Sequence, residues 1–178
     1  MSTIKVDNIL KRTGTGTITL GQSGDTIALG SGASQTGFGG TNTPSFLVTR
    51  SGNQSISSGS ATKIQWNSEI FDTDNTFDSS TNYRFTPAVS GKYFLHANAS
   101  TDNESSSNTH MTIRKNGSAI ARNKVQNTNR NSIGVTITVD SDTNDYFDVE
   151  IMQDSGGGRN ILSGSEYTWF TGFKLAWW

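Results

Sequence analysis

His96 and His110 are the only imidazoles in the chain, and cysteine is absent. Without cysteine there are no disulfides, no thiol catalysis and no cysteine-ligated zinc or iron–sulfur site. His96 stands between Leu95 and Ala97 in a strand-like stretch and reads as a hydrogen-bonded packing residue. His110 opens a strand after an Asn/Ser/Glu segment and reads as a surface residue. Serine is too abundant for any Ser/His pair to be informative, and no G-x-S-x-G elbow occurs. A glycosidase needs two carboxylates flanking one bond, yet the spacing of Glu69, Glu104, Glu150 and Glu166 pairs none of them. No GxxxxGK[ST] phosphate loop is present. Two acidic clusters have the oxygen ligands that calcium uses. One is Asp72, Asp74 and Asp78. The other, Asp140-Ser141-Asp142-Thr143-Asn144-Asp145, begins like D-x-D-x-N but lacks the sixth-position Gly and has Ile151 where the twelfth-position Glu belongs. Both read as solvated turns. The expectation is a protein without catalytic residues, metal ligands or cofactors.

The scaffold must therefore carry the function. The chain has 178 residues, 31% hydrophobic and 16% charged, with a net charge of −1. Ser, Thr, Asn and Gly supply nearly half of it, and Ile, Leu, Val and Phe only about one residue in five. Aromatics reach 10% and there are only 2 prolines, so this is not a self-repelling disordered tail. The composition suits short strands joined by polar turns around a thin core, with burial completed by other subunits. No apolar run approaches the roughly 18 residues of a membrane span, and Met1–Arg12 has no apolar signal-peptide region. A pI of about 6.1 gives no electrostatic footprint for nucleic acid. β-proteins that face the outside without disulfides are common on virus particles, which assemble in a reducing cell.

The pattern changes near residue 43. In residues 1–43, Thr17-Ile18-Thr19-Leu20-Gly21 recurs as Thr26-Ile27-Ala28-Leu29-Gly30, two short period-2 strands with a polar turn between them. Two such copies bury little alone and read as an intertwined β-stalk, or else as one hairpin packed on the main domain. A Gly/Ser/Thr linker carrying Phe38 follows. In residues 44–178, strand patterns occur at Ser45–Arg50, Thr62–Phe71, Asn82–Thr86, Lys92–Ala99, Thr109–Lys115, Ala119–Val125, Ser132–Val139, Tyr146–Met152 and Tyr167–Trp177. Lys92–Ala99 puts Tyr93 and Leu95 on one face and Phe94 and His96 on the other, so it reads as a strand inside the sandwich. Asn116-Gly117 marks a two-residue hairpin, and no window has a 3.6-residue period. The expected fold is an all-β antiparallel sandwich or jelly roll of about nine or ten strands, not a parallel sheet.

Three stretches carry a resemblance. Phe85-Thr86-Pro87-Ala88-Val89-Ser90-Gly91-Lys92-Tyr93 is similar to the aromatic…Pro…Gly-x-Tyr signature of the complement one-q and tumour necrosis factor superfamily. Ile113–Gly117 resembles its following hairpin, and Trp169-Phe170-Thr171-Gly172-Phe173-Lys174-Leu175 its closing S-x-F-S-G-F-x-L strand. The resemblance spans about residues 45–176 and implies a homotrimer built through aromatic-rich faces, with Phe46, Tyr93, Phe94, Trp169, Phe170, Phe173 and Trp177 in trimer or core packing. Met1–Asn8 followed by Thr13–Gly21 resembles the opening of tailed-phage fibre proteins. That implies a bacteriophage virion protein whose jelly-roll head (44–178) meets a host-surface glycan or protein, while an N-terminal stalk (1–43) joins other virion proteins through Ile4, Val6, Ile9 and Leu10. A capsid-decorating trimer is the alternative, and a secreted lectin a further one. The polar loops Thr101–Asn108, Gln126–Asn131 and Asp154–Asn160 suit recognition of a polar surface as well as plain solubility.

Overall fold

The computed structural model describes residues 19, 21–26, 28, 30–32, 42–102, 107–127 and 131–176. The chain divides into two compact units, Met1–Phe38 and Gly39–Trp178. In the first unit, the described polar turn between the two repeats is closed by Asp25 N donating to Gln22 O (3.0 Å) and Gln22 N to Asp25 Oδ2 (2.6 Å). Ile4, Val6, Ile9, Leu10, Phe38 and Trp177 lie outside the described residues.

In the second unit the described residues form thirteen strands and no helix. These are β1 (Ser45–Thr49), β2 (Gln54–Ile56), β3 (Thr62–Lys63), β4 (Ser68–Asp72), β5 (Phe77–Asp78), β6 (Arg84–Phe85), β7 (Gly91–Thr101), β8 (Ser107–Lys115), β9 (Ser118–Asn127), β10 (Asn131–Ser141), β11 (Phe147–Gln153), β12 (Arg159–Ile161) and β13 (Trp169–Lys174). Seven make one sheet and six the other. β7 is the hub of the seven-stranded sheet. It pairs along its whole length with β10 and from Tyr93 to Asn98 with β13, and β1 lies between β13 and β4. In the six-stranded sheet the order is β5-β6-β11-β8-β9, with β3 also on β11. Every strand pair is antiparallel, so the alternation read from the sequence becomes one core face and one outer face per strand.

Nine strands were legible as alternating runs. The further ones arise from β2, β5 and β12, two or three residues long in polar sequence with no alternation to read, and from a split. Thr62–Phe71, expected as one strand, is two: β3 joins β11 in one sheet and β4 joins β1 in the other. The connection between them carries Ile64 and Trp66, both fully buried. Ile64 N still donates to Val149 O of β11 (2.9 Å), and both side chains enter the core from the segment that changes sheets.

The core between the sheets is aromatic at its centre. The Phe46 ring lies 4.6 Å from Phe85 and 4.9 Å from Phe170, and Tyr93 and Phe147 also flank Phe85. The Tyr93 hydroxyl donates to Val89 O, and burial, with the Asp74 carboxylate adding to it, pushes its pKa up to about 12. Asn116 and Gly117, at φ 53° and 80°, close the β8–β9 hairpin with the two positive angles that a type I′ turn requires.

Candidate self-association face

The outer face of the seven-stranded sheet is built by register. Phe94 on β7 stands opposite Phe173 on β13, which stands opposite Ser45 on β1. One row along, Thr136, His96, Thr171, Leu47 and Phe71 lie across five strands. In the next row Asn98 faces Trp169. Side chains two apart on a strand share a face, so these rows make one surface that the second sheet does not cover. The Phe94 and Phe173 rings stack at 5.2 Å and 30°. The His96 and Trp169 rings stack across the diagonal at 4.7 Å and 15°. Phe71 is 44% exposed and its neighbour Ile70 56%.

The polar groups among these rings bond within the subunit. His96 Nδ1 and Thr136 Oγ1 share a hydrogen bond of 2.5 Å. Thr171 Oγ1 donates to Phe46 O, Asn98 Nδ2 to Tyr167 O, and Ser132 Oγ to Asn98 Oδ1. On β7, β13, β1 and β4 the face presents Phe94, Trp169, Phe173, Leu47 and Phe71, while β10 adds the exposed Ser132, Thr136 and Thr138. Burial lowers the pKa of His96 below its ordinary value.

The opposite outer face differs in kind. On the six-stranded sheet, Arg114 holds Asp148 through Nε (2.6 Å) and Nη2 (2.9 Å) and Glu150 through Nη1 (2.8 Å), while Lys63 reaches Asp148 at 2.8 Å. The Asp148 side chain is only 2% exposed beneath these cations. Asp148 and Glu150 alternate outward between Phe147, Val149 and Ile151, and they sit across from Arg114 and Thr112 of β8. The alternation was visible in Tyr146–Met152. The partners were not, because only the β8–β11 register names them.

Of the residues expected in trimer or core packing, Phe46, Tyr93 and Phe170 are fully buried between the sheets, whereas Phe94, Trp169 and Phe173 lie on the outer face. The strand read as lying inside the sandwich, β7, is flanked by strands at both edges. Its two apolar faces differ: Tyr93 and Leu95 enter the core, and Phe94 and His96 face away from the second sheet. Leu47 and Phe71 belong to this surface too and were not singled out; Leu47, alternating with Phe46 and Val48, was the available signal.

The acidic clusters act as turn locks. Asp72 accepts from Thr76 Oγ1 and Phe77 N, and Asp78 from Ser80, Thr81 and Asn82. Among the described residues no three His, Asp or Glu side chains are grouped to hold a metal ion. An open polar hollow of about 440 Å³ lies beside this loop, with Arg84 on its wall stacked over the Tyr146 ring at 4.3 Å.

No family model and no curated protein sequence matches the chain. Solved structures do match its fold. Murine APRIL at pH 5.0 aligns with a TM-score of 0.59 and 12% identity, over 74% of this chain and 98% of that one. Eiger TNF from S. frugiperda gives 0.55 and 12%, over 74% and 90%. The globular domain of zebrafish complement 1qA protein gives 0.53 and 16%, over 74% and 97%. At these identities the likeness is one of fold: a jelly roll of the tumour necrosis factor and complement one-q type.

Proposed function

We propose that the protein is a non-enzymatic bacteriophage structural component, in which three copies associate through the aromatic face of the seven-stranded sheet to form a head on an N-terminal stalk. The observation that carries the association is the contrast between the two outer faces. Solvated sheet faces carry charge and hydrogen-bonding groups, as the Arg114–Asp148–Glu150 face does. Contiguous apolar surface on a soluble domain marks an interaction site, and the other face offers Leu47, Phe71, Phe94, Trp169 and Phe173. The fold likeness supports this reading, since the superfamily that residues 45–176 resemble builds trimers through aromatic-rich faces. The virion context rests on the fibre-like opening of the chain: residues 1–43 attach to the particle and the head is presented to the host surface.

Light scattering on the purified chain tests the assembly, with about three times the 19.2 kDa chain mass expected. A folded monomer at micromolar concentration overturns it. Immunogold labelling of purified particles tests the virion assignment: label on tail appendages supports a fibre, label spread over the capsid supports the decorating trimer, and unlabelled particles overturn both.

A further inference from the structure

A titratable ring lies on the aromatic face, on the strand beside the edge strand β10. His96 is bracketed along β7 by Phe94 and Asn98, and it stacks on Trp169 of β13. Thr136 of β10 bonds its Nδ1, and Gly134 beside it has no side chain, leaving His96 Nε2 3.5 Å from where a Cβ would stand. We propose that His96 makes self-association acid-sensitive: subunits assemble while it is neutral and separate when it takes up a proton. The inference rests on the self-association reading above.

The physical case is the surroundings of the ring. A subunit seated on this face removes the water that would solvate an imidazolium, and a buried charge is tolerated only beside a counter-charge. None is in place. On β7 and β10 the charged groups of this face are Lys92 and Asp140, paired with each other at 2.5 Å. Lys92 lies four residues along β7 from His96, roughly 13 Å at the rise of a strand. β13 ends in Lys174, a cation. β4 carries Glu69 and Asp72, at the far edge of the sheet beyond β1, and Asp72 is already bonded to Thr76 and Phe77. Among the described residues, the side chains that bond or stack on the ring are Thr136 and Trp169. In a free subunit, water and the Trp169 π-face can both stabilise the cation. Burial within the subunit already favours the neutral ring, and covering the face extends that effect.

The sign follows. The imidazole pKa is lower in the assembly than in the free subunit, so dissociation takes up protons. Assembly is complete above the free-subunit pKa and is lost as pH falls through and below it. With one His96 per subunit, a trimer takes up as many as three protons on dissociating. Its association constant then falls by up to about a thousandfold per pH unit.

The test is the mass of the full chain by sedimentation equilibrium between about pH 7.5 and about pH 5, spanning the ordinary histidine range, with circular dichroism on the same samples. The expected result is a fall from three times 19.2 kDa toward a single chain while the strand signal persists. His96→Gln, and His96→Phe as a stacking replacement, should remain assembled across the range, and His110→Gln should behave like the parent. The inference is overturned if the parent stays trimeric throughout, or if both His96 variants dissociate at the same pH as the parent. A parent that is monomeric already at about pH 7.5 overturns the self-association reading itself.

Discussion

Gly172 and Phe173 are adjacent on one strand and answer to different surfaces. A Cβ at Gly172 would stand 2.6 Å from Leu95 Cδ2, 2.9 Å from Phe46 Cε1 and 3.0 Å from the Phe94 carbonyl oxygen. Backbone and a packed ring cannot both yield, so Gly172→Ala should destabilise the fold by roughly 1–3 kcal/mol in urea titrations. Phe173 points the other way, onto Phe94. Removing a fully buried Phe costs roughly 3–5 kcal/mol, but Phe173 is only partly covered within one subunit. Phe173→Ala should therefore change urea stability by less than that and act mainly on assembly, lowering the scattering mass at dilute concentrations. Equal loss of urea stability in the two variants would place Phe173 in the subunit core. In the sequence, Trp169, Phe170 and Phe173 mark an aromatic strand interrupted by Gly172. That pattern does not show which face the second sheet covers, because an alternation of Phe170 with Trp169 and Phe173 has apolar residues at both parities.

At the scale of elements, the β8–β9 hairpin is tied to the β10–β11 turn by side chains. Tyr146 N donates to Asn116 Oδ1 (2.9 Å) and Asn116 Nδ2 to Asp145 Oδ1 (2.7 Å). Lys115 pairs with Asp145 Oδ2 at 2.8 Å, and Asp142 N donates to the same oxygen. Burial alone would raise the Asp145 carboxyl, but the Lys115, Asp142 and Asn116 hydrogen bonds outweigh it and hold the pKa at about 2. An unfolded aspartate titrates near 3.9. The carboxylate's contribution is thus complete above about pH 4 and is lost as pH falls through about 2. Asp145→Asn should be less stable than the parent at neutral pH, and the two should converge toward pH 2 in thermal melts. A stability difference that is independent of pH would mean that the carboxylate's charge does not stabilise this turn. The Asn-Gly pair marks the hairpin by residue type alone, since few other dipeptides accept two positive φ angles. The calcium-like spacing of Asp140–Asp145 pointed to a turn without revealing that its last carboxylate is clamped by the neighbouring hairpin.

At the scale of the whole molecule, the proposed division of labour gives a direct expectation. The second unit contains both sheets, the core and the aromatic face, all among its described residues between 44 and 176. A chain beginning near Thr43 should fold, melt cooperatively and assemble like the full protein. It should also fail to enter particles produced without the native copy. Attachment of the truncated chain would move the anchor into the jelly roll and favour the capsid-decorating role, and a truncated chain that does not fold would make residues 1–43 part of the folding unit.

Composition, turn chemistry and alternation by themselves determined the class of this protein. Sparse apolar residues at period two, Asn-Gly at a hairpin and no helical period leave little but an antiparallel β sandwich. The kind of jelly roll came from the resemblance of the Phe85–Tyr93 and Trp169–Leu175 stretches to the complement one-q and tumour necrosis factor superfamily. The two outer faces were decided only by tertiary structure. Whether Phe94 and His96 enter the core or leave it depends on where the second sheet lies, and Arg114 finds Asp148 and Glu150 across 34 and 36 residues of chain. Ile64 and Trp66 look like strand residues until the chain is seen to cross from one sheet to the other. Such choices depend on long-range pairing, which a local pattern constrains in period but not in partner.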